Sequence, residues 1–123
     1  MKKLFLLGAA IAAIAFSAAC SSATVVDETA AIEVDLTAEN TFSPQAVTVK
    51  VGQTVRWVWR GGSHNVVSGA KAGTVCTEDG NFKSGAAVAG GTYDKKFEVA
   101  GTFPYYCEPH CAVGMTGTVI VTE

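Results

Sequence analysis

Phe103-Pro104-Tyr105-Tyr106-Cys107-Glu108-Pro109-His110-Cys111-Ala112-Val113-Gly114-Met115 sets a thiol, an imidazole and a thioether at fixed steps. A thiolate and two imidazoles in a trigonal plane, with a weak axial thioether, form the donor set of a blue-copper electron-transfer site. This one segment supplies three of those four donors at Cys107, His110 and Met115. The fourth must be an imidazole from elsewhere, and the chain has only one other histidine, His64. The count closes with no histidine left over.

The run Tyr-Tyr-Cys-Glu-Pro-His followed by Gly-Met resembles the ligand loop of plastocyanin-type cupredoxins, halocyanin-like ones in particular. Phe42-Ser43-Pro44, Val51-Gly52-Gln53-Thr54-Val55 and His64-Asn65-Val66-Val67 are similar to that family in the same order. The resemblance covers residues 40–121. It implies one copper ion held by His64, Cys107, His110 and Met115, and a protein that shuttles single electrons between transient redox partners. It also implies that His110 reaches the surface inside an apolar patch, here Gly61, Gly62, Ala112, Val113 and Gly114. Asn65 resembles the position whose amide ties the two ligand-bearing loops together. The usual partner there is a small hydroxyl residue after the ligand cysteine, whereas this chain has Glu108. Phe103 stands where many members carry a tyrosine, so that hydroxyl's bond to backbone is lost.

Other metal readings fit less well. Zinc accepts Cys and His in a tetrahedron, and Cys76, Cys107, Cys111 and a histidine can be drawn together on paper. Cys76 stands alone, however, without the paired knuckle such sites use. Cys107-x-x-x-Cys111 resembles the binuclear copper centre of oxidase subunits. That centre needs a histidine where Met115 stands, and one more histidine than the chain has.

The chain has 123 residues, the length of one domain, and a formal net charge of −2, which argues against a nucleic-acid partner. Lys2 and Lys3 precede an apolar stretch from Leu4 to Phe16, and Ser17-Ala18-Ala19 offers the small residues of a cleavage site. Residues 1–19 therefore read as a signal peptide, too short and Ala-rich for a membrane span of ~20 apolar residues. Small residues followed by Cys20 resemble a bacterial lipobox, with Ser17 where a leucine is preferred. The alternative is ordinary cleavage that leaves a stray thiol. In either case the product is exported, to the periplasm or the outer face of the cytoplasmic membrane. Without Lys2 and Lys3, seven basic residues face eleven acidic ones, a net charge of −4.

Residues 20–30 then read as a lipid-anchor cysteine and a flexible tether, small, polar and acidic; Thr24-Val25-Val26 keeps an extra edge strand open. From Ala31 to Glu123 strand signals dominate, β-branched and aromatic runs broken by Gly, Pro and Asn. Val47, Val49 and Val51 alternate on one face, as do Val55, Trp57 and Trp59, so these lists predict a core. Trp57 is expected in that core, and Trp59 nearer the metal. Residues 68–91 carry no convincing apolar pattern and read as irregular. The fold class is all-β, an antiparallel β-sandwich with Greek-key connections, cupredoxin-like, and a monomer is expected.

In an exported compartment Cys76 and Cys111 can form a disulfide. Phytocyanins have a bridge at a similar place, which implies one here, stapling the irregular region onto the ligand loop. Enzymatic copper centres in such folds need further histidines, and none remain, so no enzyme is expected. The remaining rival is an exported copper carrier or storage protein. Carriers favour exchangeable Cys or Met pairs, which two methionines, one of them Met1, do not supply.

Overall fold

Alternating apolar side chains fold this chain into a two-layer core. Val34 and Leu36, Val47 and Val49, Val55 and Trp57, and Val119 and Val121 are all buried, each pair two residues apart on its strand. The computed structural model describes residues 29–123. The expected signal peptide (1–19), Cys20 and nearly all of the tether (20–30) lie outside the described residues.

Nine strands are present among the described residues: β1 (Ile32–Leu36), β2 (Phe42–Ser43), β3 (Ala46–Lys50), β4 (Thr54–Trp59), β5 (Val67–Ala72), β6 (Val75–Lys83), β7 (Thr92–Lys96), β8 (Gly101–Tyr106) and β9 (Thr116–Thr122). They form a four-stranded sheet, β2-β1-β4-β7, and a five-stranded sheet, β3-β9-β8-β5-β6. Trp57 sits at the centre of the core, edge-on to Tyr105 with ring centroids 5.3 Å apart and stacked on Tyr93 at 5.6 Å. Aromatic pairs in such orientations add to simple burial.

The expected β-sandwich is present, but its sheets are mixed rather than purely antiparallel. β1 runs parallel to β4, with Ile32 opposite Val55 and Leu36 opposite Trp59. β3 runs parallel to β9, with Ala46 opposite Thr118 and Lys50 opposite Thr122. Parallel neighbours need a long connection between them, and here the chain supplies it by crossing to the other sheet between β1 and β4. Alternation reports which face of a strand is buried; it carries no information about which strand lies alongside.

Two expectations are corrected. Val51 does not continue the core face: β3 ends at Lys50, Gly52 turns the chain at φ +92°, and Val51 is 42% exposed. Residues 68–91 are not simply irregular, because β5 and β6 make a long antiparallel hairpin there. β6 is an edge strand whose only buried residue is Phe82. With almost no face to bury, it leaves no apolar alternation in the sequence.

Candidate metal centre

One end of the sandwich gathers the candidate donors. His64 lies just before β5, paired through its main chain with Val88: each residue's N–H donates to the other's carbonyl at 3.0 Å. The indole N–H of Trp59 also donates to the His64 carbonyl, at 2.8 Å. The side chain is fully buried. Its Nε2 lies 2.9 Å from the Thr37 carbonyl and 2.8 Å from the Gly61 carbonyl. Carbonyls only accept, so Nε2 carries the proton and Nδ1 presents a lone pair. Gly62 makes room for this arrangement: at φ +79° a Cβ there would sit 2.6 Å from the ring Nε2.

The other donors come from the loop between β8 and β9. Cys107 directly follows β8 in extended conformation, and a single 3-10 turn, Glu108–His110, swings His110 back over it, with Pro109 in the first turn. The loop is closed by main-chain bonds from Cys107 N–H to the Met115 carbonyl (3.0 Å) and from Met115 N–H to the His110 carbonyl (3.1 Å).

His64 Nδ1 and His110 Nδ1 are 3.2 Å apart, and Cys107 Sγ lies 3.7 Å from the first and 3.5 Å from the second. Three electron-rich atoms thus converge on one point, the one such cluster of His, Cys, Asp or Glu among the described residues. This donor set fits a single copper ion: two imidazoles and one soft sulfur, with the His64 lone pair already aimed inward. Met115, the fourth expected ligand, is buried in the core cluster that also holds Cys107. Burial pushes the Cys107 thiol up from its ordinary pKa, while the main-chain N–H groups of Asn65 and His110 pull it back.

A cross-tie between the ligand-bearing segments forms, and it uses the carboxylate. Glu108 N–H donates to Asn65 Oδ1 at 2.9 Å, and Asn65 Nδ2 donates to Glu108 Oε2 at 2.6 Å and to the Gly85 carbonyl at 3.0 Å. Lys83 donates to Glu108 Oε1 at 3.0 Å and to Glu78 at 3.2 Å. Lys83, then Asn65, hold the Glu108 carboxyl below its ordinary pKa. Cys76 and Cys111 are bridged, with Cα atoms 6.1 Å apart, so neither is free to act as a zinc thiolate. His110 is only half-buried, and beside it Val113 is 74% exposed, with Ala112 and Gly114 also exposed.

The sequence reading missed the clamps on His64. Main-chain carbonyls of Thr37 and Gly61 leave no side-chain signature, and the Trp59 indole acts on a backbone atom. Lys83 was equally invisible, because it lies on the edge strand whose pattern is flat.

A β-sandwich that presents one thiol and two imidazoles to a common point is a cupredoxin, a single-copper protein. The chain belongs to the plastocyanin/azurin family of copper binding proteins, whose family profile matches residues 28–122. It is 42% identical over 88 residues to plastocyanin of Scenedesmus fuscus, covering 65% of this chain and 85% of that one. Against halocyanin of Natronomonas pharaonis it is 42% identical over 83 residues, which span 65% of this chain but 47% of that protein. Among solved structures, a purple cupredoxin from Nitrosopumilus maritimus superposes with a TM-score of 0.62 at 24% identity, over 74% of this chain and 99% of that one. That last likeness is one of fold.

Proposed function

We propose that this protein is a one-electron carrier whose copper is held by His64, Cys107 and His110, with Met115 as a weak axial donor. The convergence of Cys107 Sγ and two imidazole Nδ1 atoms within 4.8 Å of one another is the observation that carries the reading. Bound copper supplies a couple between Cu(I) and Cu(II). The chain's part is to keep one geometry for both states. Soft sulfur suits the reduced form and imidazole either, and the donors stand on packed strands that resist rearrangement. The Thr37 and Gly61 carbonyls fix the His64 ring. The Asn65 and His110 amides hold the Cys107 sulfur and tune it.

His110, half-buried beside exposed Ala112 and Val113, is the exit for the electron. Small uncharged neighbours let a partner's cofactor edge approach closely, through a transient interface of under ~1,200 Å². Both histidines are engaged in this one site, so no second copper centre of the kind enzymes use can be built. The chain works as a monomer, exported, with Cys20 as the lipid anchor that holds it near membrane-associated partners. Copper titration followed by visible absorption tests the function. An intense thiolate-to-Cu(II) band that bleaches and returns on reduction and reoxidation is expected. Copper binding without that band refutes it and leaves a carrier or storage protein.

A further inference from the structure

Resting on the copper reading of the site, we propose that Glu108 is a positioning residue that sets the electron affinity of the centre by its charge, with Lys83 as the counter-charge that trims it. Glu108 directly follows the ligand Cys107 and precedes Pro109 and His110 in the same short turn. Its side chain is 43% exposed, but both carboxylate oxygens are held. One oxygen is held at 2.6 Å by Asn65 Nδ2 and the other at 3.0 Å by Lys83 Nζ. Asn65 is fully buried, and its side-chain oxygen also accepts from the Glu108 main-chain N–H at 2.9 Å, next to Cys107. The hydrogen-bonded chain of Lys83, Glu108 and Asn65 therefore closes on the residue next to the ligand sulfur.

Two consequences follow from elementary electrostatics. A fixed negative charge one residue from the sulfur favours whichever redox state carries more positive charge, which is the oxidised one. A cation at 3.0 Å from that carboxylate offsets part of the effect. Lys83 divides itself between Glu108 and Glu78, at 3.0 and 3.2 Å, so the offset is incomplete. The other charged group facing this cluster, Asp79, is held by Ser68 Oγ at 2.6 Å and the Asn81 amide at 3.0 Å, and adds to the negative side. Glu108 does two jobs at once: it fastens Asn65 by hydrogen bonding, and it biases the couple by charge.

Glu108→Gln separates the two. The glutamine carbonyl can still accept from Asn65 Nδ2, but the charge and its pairing with Lys83 are gone. Lys83→Met does the opposite, leaving the carboxylate and removing its counter-charge. Spectroelectrochemical titration of the copper-loaded full chain should show Glu108→Gln favouring the reduced state by about threefold, ~28 mV at 59 mV per decade for one electron. Lys83→Met should favour the oxidised state by a similar factor. The double variant should lie near wild type, because the fields of the two opposite charges add at the centre. The Asn65 side-chain amide resonance of copper-free protein reports separately on the tie, and should persist in both single variants. Shifts of the two potentials in the same direction, or none, would overturn the proposal. If Glu108→Gln loses the Asn65 resonance, the sign of the Lys83→Met shift alone decides, since Lys83 lies outside the ligand loop. Wild-type protein with no reversible copper colour would refute the function and this proposal with it, whereas a reversible colour with unmoved potentials refutes the proposal alone.

Discussion

Removing the Cys76–Cys111 bridge should cost this domain a large share of its stability. The bridge joins residues 35 apart in sequence, from the edge hairpin to the residue after His110. On the chain-entropy relation, closing a loop of that length removes about 13 cal/mol/K from the unfolded ensemble, or ~3.8 kcal/mol at 25 °C. Native domains are stable by only about 5–15 kcal/mol. The local packing lost with the sulfurs is small, because Cys111 packs in the small satellite cluster of Val67, Tyr106 and Cys76, apart from the main core. Urea denaturation of copper-free Cys76→Ala/Cys111→Ala, followed by tryptophan fluorescence, measures the effect. With a slope of about 2 kcal/mol/M, the midpoint should fall by ~2 M at unchanged slope. Wild-type protein treated with a reductant should behave alike. A midpoint shift below ~0.5 M would refute the reasoning, because the reduced chain would then be no freer than the bridged one.

Cys107→Ser should abolish the thiolate-to-copper band while leaving a folded sandwich by circular dichroism, since the remaining donors lack a soft anion. Met115→Gln puts a harder oxygen on the axis and should lower the reduction potential by about one decade of equilibrium constant, ~59 mV; an unchanged or raised potential counts against axial coordination. Val113→Glu places a charge on the exposed rim beside His110 and should slow electron transfer with the native partner by about tenfold, measured by stopped flow, with colour and potential near wild type. Cys20→Ser should move the protein from the membrane to the soluble exported fraction, copper spectrum intact; wild-type protein wholly soluble after export would end the lipid-anchor reading.

The centre was legible because three of its donors are crowded into nine residues, and because the count of histidines forced His64 into the set. Spacing in a single loop survives without knowledge of the fold. The core was legible in strands with one buried face, such as Thr54–Trp59, whose Val55 and Trp57 point inward. Legibility failed where that asymmetry fails. Val75–Lys83 has two exposed faces, so a nine-residue strand read as loop. The parallel pairing of β1 with β4 depends on which sheet the intervening chain crosses to, and no period encodes that. The carboxylate cross-tie from Asn65 was doubtful on paper because the family's hydroxyl is short. In the structure the longer side chain folds back, and Lys83 meets its second oxygen.

The parallel registers also decide which way the molecule faces. β1 begins at Ile32 opposite Val55 and reaches the copper end only at Leu36, beside Trp59. β9 leaves the copper end at Thr116 and runs seven residues to Thr122, a rise of about 20 Å. Both termini of the sandwich therefore emerge at the pole opposite His110. Anything attached to either one, whether an anchor, an affinity tag or a linker to an electrode, leaves the copper pole pointing outward. A surface coated through the C-terminus would present every copy with its electron exit toward solution, and a fused redox domain would need a linker long enough to double back along the full height of the sheet.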